Sequence, residues 1–211
     1  MAVKTKGKQK KKVWVSVYAP EILNKAFLGE TIVSEPQSLI GRKMTLNMST
    51  VTGDMRKQNM EVKFLVTGVV DHKASTEVVG TSLTNSYLKR LVRKGKSKIA
   101  DSFVIKTKNG SDIRVKPAIV TNKITSSSLN TRLRLEAKSL LEELAKTKSD
   151  SELFNLQISQ KIQKELKDKL SKIYPLRYVD ISKMLVVNSK VEKKVAEKVE
   201  EIEESKVEAE A

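Results

Sequence analysis

The sequence predicts an α+β domain: an antiparallel, β-barrel-like core with two or three helices packed to one side, carrying charged tails. Three observations carry that reading. Period-two alternation of apolar and polar residues dominates the first half, as at Met60, Val62, Phe64 and Val66. Ladders spaced by four, such as Phe154, Ile158, Ile162, Leu166 and Leu170, dominate the second half. Residues 1–12 have no apolar residue after Val3, so that end cannot bury anything, and residues 189–211 are dominated by charge.

In chain order, residues 1–12 place Lys4, Lys6, Lys8, Lys10, Lys11 and Lys12 with no apolar residue after Val3. Such a segment is expected to be a disordered basic arm when free. Val13-Trp14-Val15-Ser16-Val17-Tyr18 then alternates as a strand. Met44, Leu46 and Met48 alternate with Thr45, Asn47 and Ser49, and Met60 to Thr67 repeats the pattern, with Thr52-Gly53-Asp54 supplying turn chemistry between them. A short helix is expected over Asn85 to Arg93. The run from Phe103 to Lys116 contains Asn109-Gly110 between alternating flanks, which predicts a hairpin with a type I′ turn.

Helices follow. The serines at 126–128 precede Leu129, Leu133, Ala137, Leu140, Leu141 and Leu144 on one helical face. Ser149-Asp150-Ser151-Glu152 is a capping box opening a helix that runs through the Phe154–Leu170 ladder to Tyr174-Pro175, where proline stops it. Tyr178 to Val187 reads as the last strand. Residues 13–188 are therefore expected to form one α+β core. Residues 189–211 are a charged, net acidic tail, in which Val191, Val195, Val199 and Ile202 make a thin stripe. That stripe leaves two readings open, a solvated tail or a partner-docking helix.

The formal charge of the 211-residue chain is +16. It is unevenly spread: residues 1–190 hold 37 basic and 17 acidic side chains, and residues 191–211 hold 4 and 8. A field of that sign attracts polyanions, nucleic acid first and anionic membrane second. With no cysteine and a single histidine, Cys-ligated zinc, iron–sulfur clusters, disulfides and thiol chemistry drop out. His72 stands alone at a strand end and reads as a surface residue. There is no phosphate-binding Gly-rich loop and no nucleophile elbow. No enzyme, cofactor, metal or small-molecule substrate is expected. No apolar run approaches the roughly 20 residues of a membrane span, and no apolar stretch behind the lysines makes a signal peptide. Aromatics are only 4%, which argues against a base-stacking platform.

What remains is phosphate binding over several surfaces. The lysine arm is the first candidate, with a solubilising terminus as its bland alternative. The second is Lys89, Arg90, Arg93, Lys94, Lys96 and Lys98, six cations in ten residues with no acid among them. If residues 85–93 are helical, Lys89, Arg90 and Arg93 share one side and Gly95 ends the helix. The third is Lys123, Arg132 and Arg134 around a Ser/Thr-rich helix start. Arg42 and Lys43 after Gly41 make a weaker version. These cations suit phosphate positioning better than base reading.

Particular residues also resemble a known family. Lys11-Lys12-Val13-Trp14-Val15-Ser16-Val17-Tyr18-Ala19-Pro20, then Phe27-Leu28-Gly29-Glu30-Thr31, is similar to the opening of small-subunit ribosomal proteins of archaea and eukaryotes, the S-three-A-e family. Gly41-Arg42 before a strand, Thr81-Ser82-Leu83-Thr84 before a basic helix, and Ile173-Tyr174-Pro175-Leu176 before the last strand extend the resemblance to about Val187. The short acidic end fits the archaeal form. The resemblance implies a component of the small ribosomal subunit in the cytoplasm. It would bind the 3′ region of the small-subunit rRNA on the platform, among neighbouring small-subunit proteins and with messenger RNA nearby. The lysine arm, Arg42 and the Lys89–Lys98 cluster would face RNA. The competing reading is a free-standing basic nucleic-acid binder, either an RNA chaperone or a chromatin-like protein. An RNA-processing enzyme with metal-bound carboxylates is a further rival. A membrane-surface role comes last, because the basic stretches lack large apolar faces.

Overall fold

The computed structural model of the chain describes residues 12–188. Lys4, Lys6, Lys8, Lys10, Lys11 and the tail from residue 189 lie outside the described residues. The elements are β1 (Val13–Tyr18), β2 (Phe27–Val33), β3 (Lys43–Asn47), α1 (Met48–Thr52), β4 (Met60–Val70), β5 (Lys73–Leu83), α2 (Asn85–Leu91), β6 (Lys98–Ala100), β7 (Phe103–Lys106), β8 (Asp112–Thr121), α3 (Ser127–Thr147), α4 (Asp150–Ile158), α5 (Lys161–Ser171) and β9 (Leu176–Asn188). Single 3₁₀ turns lie at Glu21–Leu23, Pro36–Leu39 and Met55–Lys57. The α+β class holds.

The strands make one nine-stranded sheet in the order β2-β1-β5-β9-β8-β6, with β4 also on β5, β3 on β4 and β7 on β8. Its ends, β2 and β6, do not pair with each other among the described residues, so the sheet is open rather than a closed barrel. It is antiparallel except where Ser16–Tyr18 of β1 run parallel to Lys73–Ser75 of β5. The long strand β5 joins two halves. It pairs with β4 along its length, with β1 at its start, and with β9 only at Gly80–Ser82.

Each half has its own core. Val15, Val17, Met48, Val62, Phe64 and Val66 are completely or almost completely buried in the first. Ile113, Val115, Leu133, Phe154, Ile162, Leu166 and Leu170 fill the second. Here α3 packs on β7, α5 on β9 and α4 on β5. Burying each such side chain contributes ~1.5–3 kcal/mol. A buried hydrogen bond from Thr81 Oγ1 to Gln157 Oε1, 2.6 Å, ties β5 to α4 beside the seam.

Several local expectations change in physically readable ways. The ladder from Phe154 to Leu170 is buried throughout, but it is two helices, because Gln160 takes φ 59° and breaks the ladder between α4 and α5. The capping box is present: the Ser149 N–H donates to Glu152 Oε2 at 3.2 Å. Met48 belongs to α1 rather than to the strand, since the Asn47 side chain accepts from the Ser49 N–H and starts a helix there. At the predicted hairpin, Gly110 is left-handed (φ 76°) but Asn109 is not. The Gly110 N–H donates to the Thr107 carbonyl and the Thr107 N–H to that of Ser111, a three-residue bulged loop instead of type I′. The two-residue I′ geometry occurs at Asp71 and His72 (φ 46° and 60°), between the paired residues Val70 and Lys73. His72 is exposed there.

A candidate nucleic-acid interface

The cationic stretch after β5 begins on α2, which ends at Leu91, two residues earlier than expected; Val92 is already extended. Gly95 (φ 85°) therefore turns the following loop and does not cap the helix. Two α2 side chains fasten the helix to the fold. The Tyr87 hydroxyl donates to Asp180 Oδ2 at 3.4 Å, and Arg90 donates to Asn59 Oδ1 at 3.1 Å with its guanidinium 6.0 Å from the Tyr87 ring centre. Arg90 is thus partly committed to Asn59 and Tyr87, although both it and Lys89 are exposed. Lys89 and Lys98 flank an open groove of about 490 Å³ also lined by Asn85, Leu88 and Val92.

Three connections meet at this end. Thr121 Oγ1 donates to the Ser97 carbonyl (3.2 Å), the Thr125 N–H donates to Ser97 Oγ (3.0 Å), and the Asn122 N–H reaches the Pro175 carbonyl (3.4 Å). The loop before β6, the loop before α3 and the turn before β9 are therefore stitched together. Arg93, Lys94, Lys96, Lys123 and Arg177 all sit on these three connections or at their ends. The Arg177 guanidinium lies 5.4 Å from the Tyr178 ring centre, and Arg93 and Lys96 are near enough to act electrostatically on the Tyr178 phenol. Lost hydration, then repulsion from Arg177 and Arg93, pushes the Lys96 amine below its usual range. A hydrogen bond from Arg177, then its charge, pulls the Tyr178 phenol down. In both groups the charge of Arg177 and Arg93 adds to the shift, and an anion placed there would relieve that repulsion.

Arg177 is a cation that sequence reading overlooked; its neighbours in the chain, Leu176 and Tyr178, carry no signal of it. Lys116 and Lys183 were also overlooked. They face each other directly across β8 and β9, and like charges in that position repel. Only the fold brings them together. Among the predicted residues, Arg134 is held by Asp101 at 3.5 Å, so its charge is partly matched. Arg132 is exposed on α3. Arg42 donates to Thr31 Oγ1 at 3.4 Å, which places Arg42 and Lys43 on the β2–β3 side of the sheet, apart from the three stitched connections.

Behind α2, a small cavity of about 30 Å³ is lined by Arg56, Lys57, Asn59, Tyr87, Gln160, Gln163 and Asp180, among others. Burial pushes the Asp180 carboxyl up to about 6, opposed by the hydrogen bond from Tyr87. Burial, then the Asp180 charge, raises Tyr87 to about 12. No group of three or more metal-ligating side chains occurs among the described residues, and no described helix is long and apolar enough to cross a membrane.

Similarity to known proteins fits this geometry. The sequence profile of the Ribosomal S3Ae family matches residues 2–190. The small ribosomal subunit protein eS1 of Nanoarchaeum equitans is 36% identical over 166 residues, covering 79% of this chain and 84% of that protein. Its counterpart in Methanobrevibacter smithii is 33% identical over 179 residues, covering 85% and 93%. That of Methanothermobacter thermautotrophicus is 30% identical, covering 84% and 91%. With the profile spanning almost the whole chain and these relatives matched over most of their length, the chain belongs to the Ribosomal S3Ae family.

Proposed function

We propose that this protein is a structural constituent of the archaeal-type small ribosomal subunit that binds rRNA through its cationic end. The family places it in the small subunit, and so in the cytoplasm, as a component and not an enzyme. The observation that carries the RNA-facing reading is the approach of Arg93 and Lys96, on the connection between α2 and β6, to Arg177 at the start of β9. Such a cluster neutralises closely spaced phosphates without reading bases. The lysines of residues 1–12 add phosphate contacts. The resemblance supports a finer placement: the 3′ region of the small-subunit rRNA, on the platform near the messenger exit.

The test is binding to a 3′-domain rRNA fragment across a salt series. Reversing Arg93, Lys96 and Arg177 to Glu should lower the log–log salt slope by about 2–3, at about 0.7–0.9 per phosphate contact. Removing residues 1–12 should lower it by up to about 4–5. An unchanged slope after both changes would refute this RNA face.

A further inference from the structure

One groove runs against the charge of the rest of the molecule. It has a volume of about 360 Å³ and lies where β5 passes from one neighbour to the next. On that side β5 is paired with β1 through Ser75 and with β9 from Gly80, so Thr76–Val79 have no strand partner there among the described residues. Its floor includes Ile22, Val78, Phe154 and Val186, and Glu21, Glu77 and Asp150 reach it from three different elements. No Lys or Arg lines it. Glu21 pairs with exposed Lys25 at 3.0 Å, and Asp150 Oδ1 is buried without a hydrogen-bond partner. An acidic, apolar-floored slot beside unpaired backbone suits an extended basic peptide.

The sequence that follows β9 has that chemistry and starts at the groove. Val186 lines it, and β9 ends two residues later at Asn188. The next six residues, Ser189-Lys190-Val191-Glu192-Lys193-Lys194, hold three cations and one acid, whereas residues 195–211 hold two cations and seven acids. At about 3.3 Å per extended residue, Lys190 lies within about 7 Å of the end of β9. Its tether also gives it a high effective concentration that no separate peptide shares.

We propose that the segment 189–194 docks in this groove, its lysines meeting Glu77, Glu21 and Asp150 and its backbone meeting the open stretch of β5. The acidic remainder, 195–211, is then launched from the face bearing Glu21 and Glu77. The inference does not depend on the ribosomal reading, because it concerns the chain alone.

The chain contains no cysteine, so disulfide trapping is clean. The full-length double variant Glu77→Cys/Lys190→Cys is compared with Arg114→Cys/Lys190→Cys under the same mild oxidant. Arg114 is exposed and two residues from Asp112, which faces Asn188, so it samples the tail's exit away from the groove. Groove docking predicts an intramolecular disulfide at least tenfold faster at Glu77, slowed when Glu21→Gln and Asp150→Asn are added. Equal rates for the two pairs would overturn the proposal. So would disulfide-linked dimers as the main product, since the basic segment would then come from another chain.

Discussion

Gly80 sits at the seam that joins the two halves of the sheet, and replacing it with alanine tests whether that seam holds the fold together. β5 and β9 pair there over three residues only, Gly80–Ser82 against Leu185–Lys183. A Cβ at Gly80 would fall 2.4 Å from Leu185 Cδ2 and 2.7 Å from the Met184 carbonyl oxygen. The leucine can rotate, but the carbonyl is backbone, so the strands must part by roughly half an ångström. Forced overpacking of this kind costs about 1–3 kcal/mol. Gly→Ala in extended backbone otherwise stabilises by about 0.4–1 kcal/mol through the unfolded state. We expect Gly80→Ala to lower stability in urea unfolding by about 1–2 kcal/mol, with the melting temperature falling by about 2–8 °C for a body of this size. Gly68→Ala is the control. It also lies in a strand, but its added Cβ would meet only Ser75 Oγ at 3.5 Å, ordinary contact. It should be neutral or slightly stabilising. Equal stabilities for Gly80→Ala and the parent would show that the two halves do not depend on this close approach.

Two further outcomes follow from particular groups. The Asp180 pKa is raised from 3.8 to about 6 in the fold, chiefly by burial, so its contribution is full below pH 3.8 and lost as pH rises through 6. A rise of that size corresponds to about 3 kcal/mol at most. Asp180→Asn should therefore gain on the parent as pH increases from 4 to 7, in parallel urea titrations; a stability difference that stays constant over that range would refute it. Ser149→Ala removes one side of the α4 capping box and should cost about 1 kcal/mol by the same assay. A loss below about 0.3 kcal/mol would mean that packing alone sets the start of α4.

Much of the fold was legible because local physics and tertiary context agree. The alternation at Met60–Val66 matches a strand buried on its core face, and Ser149-x-x-Glu152 caps a helix by direct hydrogen bonding. The departures fall where the sequence carries no local marker. Gln160 adopts a left-handed backbone with no glycine or proline to announce it, and the i+4 ladder continues across the break because both helices bury the same face. Asp71-His72 forms a two-residue turn without glycine, since the β4–β5 register demands one there. Met48 keeps the strand phase by coincidence while Asn47 caps a helix. The candidate site divides in the same way. The cations at 89–98 are adjacent in sequence and therefore visible, but Arg177 joins them only through the stitched loops, and Lys116 meets Lys183 only through sheet register.

A protein built into the small ribosomal subunit should stay with it when loosely held proteins are stripped away. Sedimentation of a native lysate through a gradient after a high-salt wash, probing for this chain, tests it most directly. Near-stoichiometric migration with the small subunit that survives the wash is the expected result. Migration at the top of the gradient, or release at modest salt with comparable binding to DNA, would contradict it and favour a free-standing nucleic-acid binder.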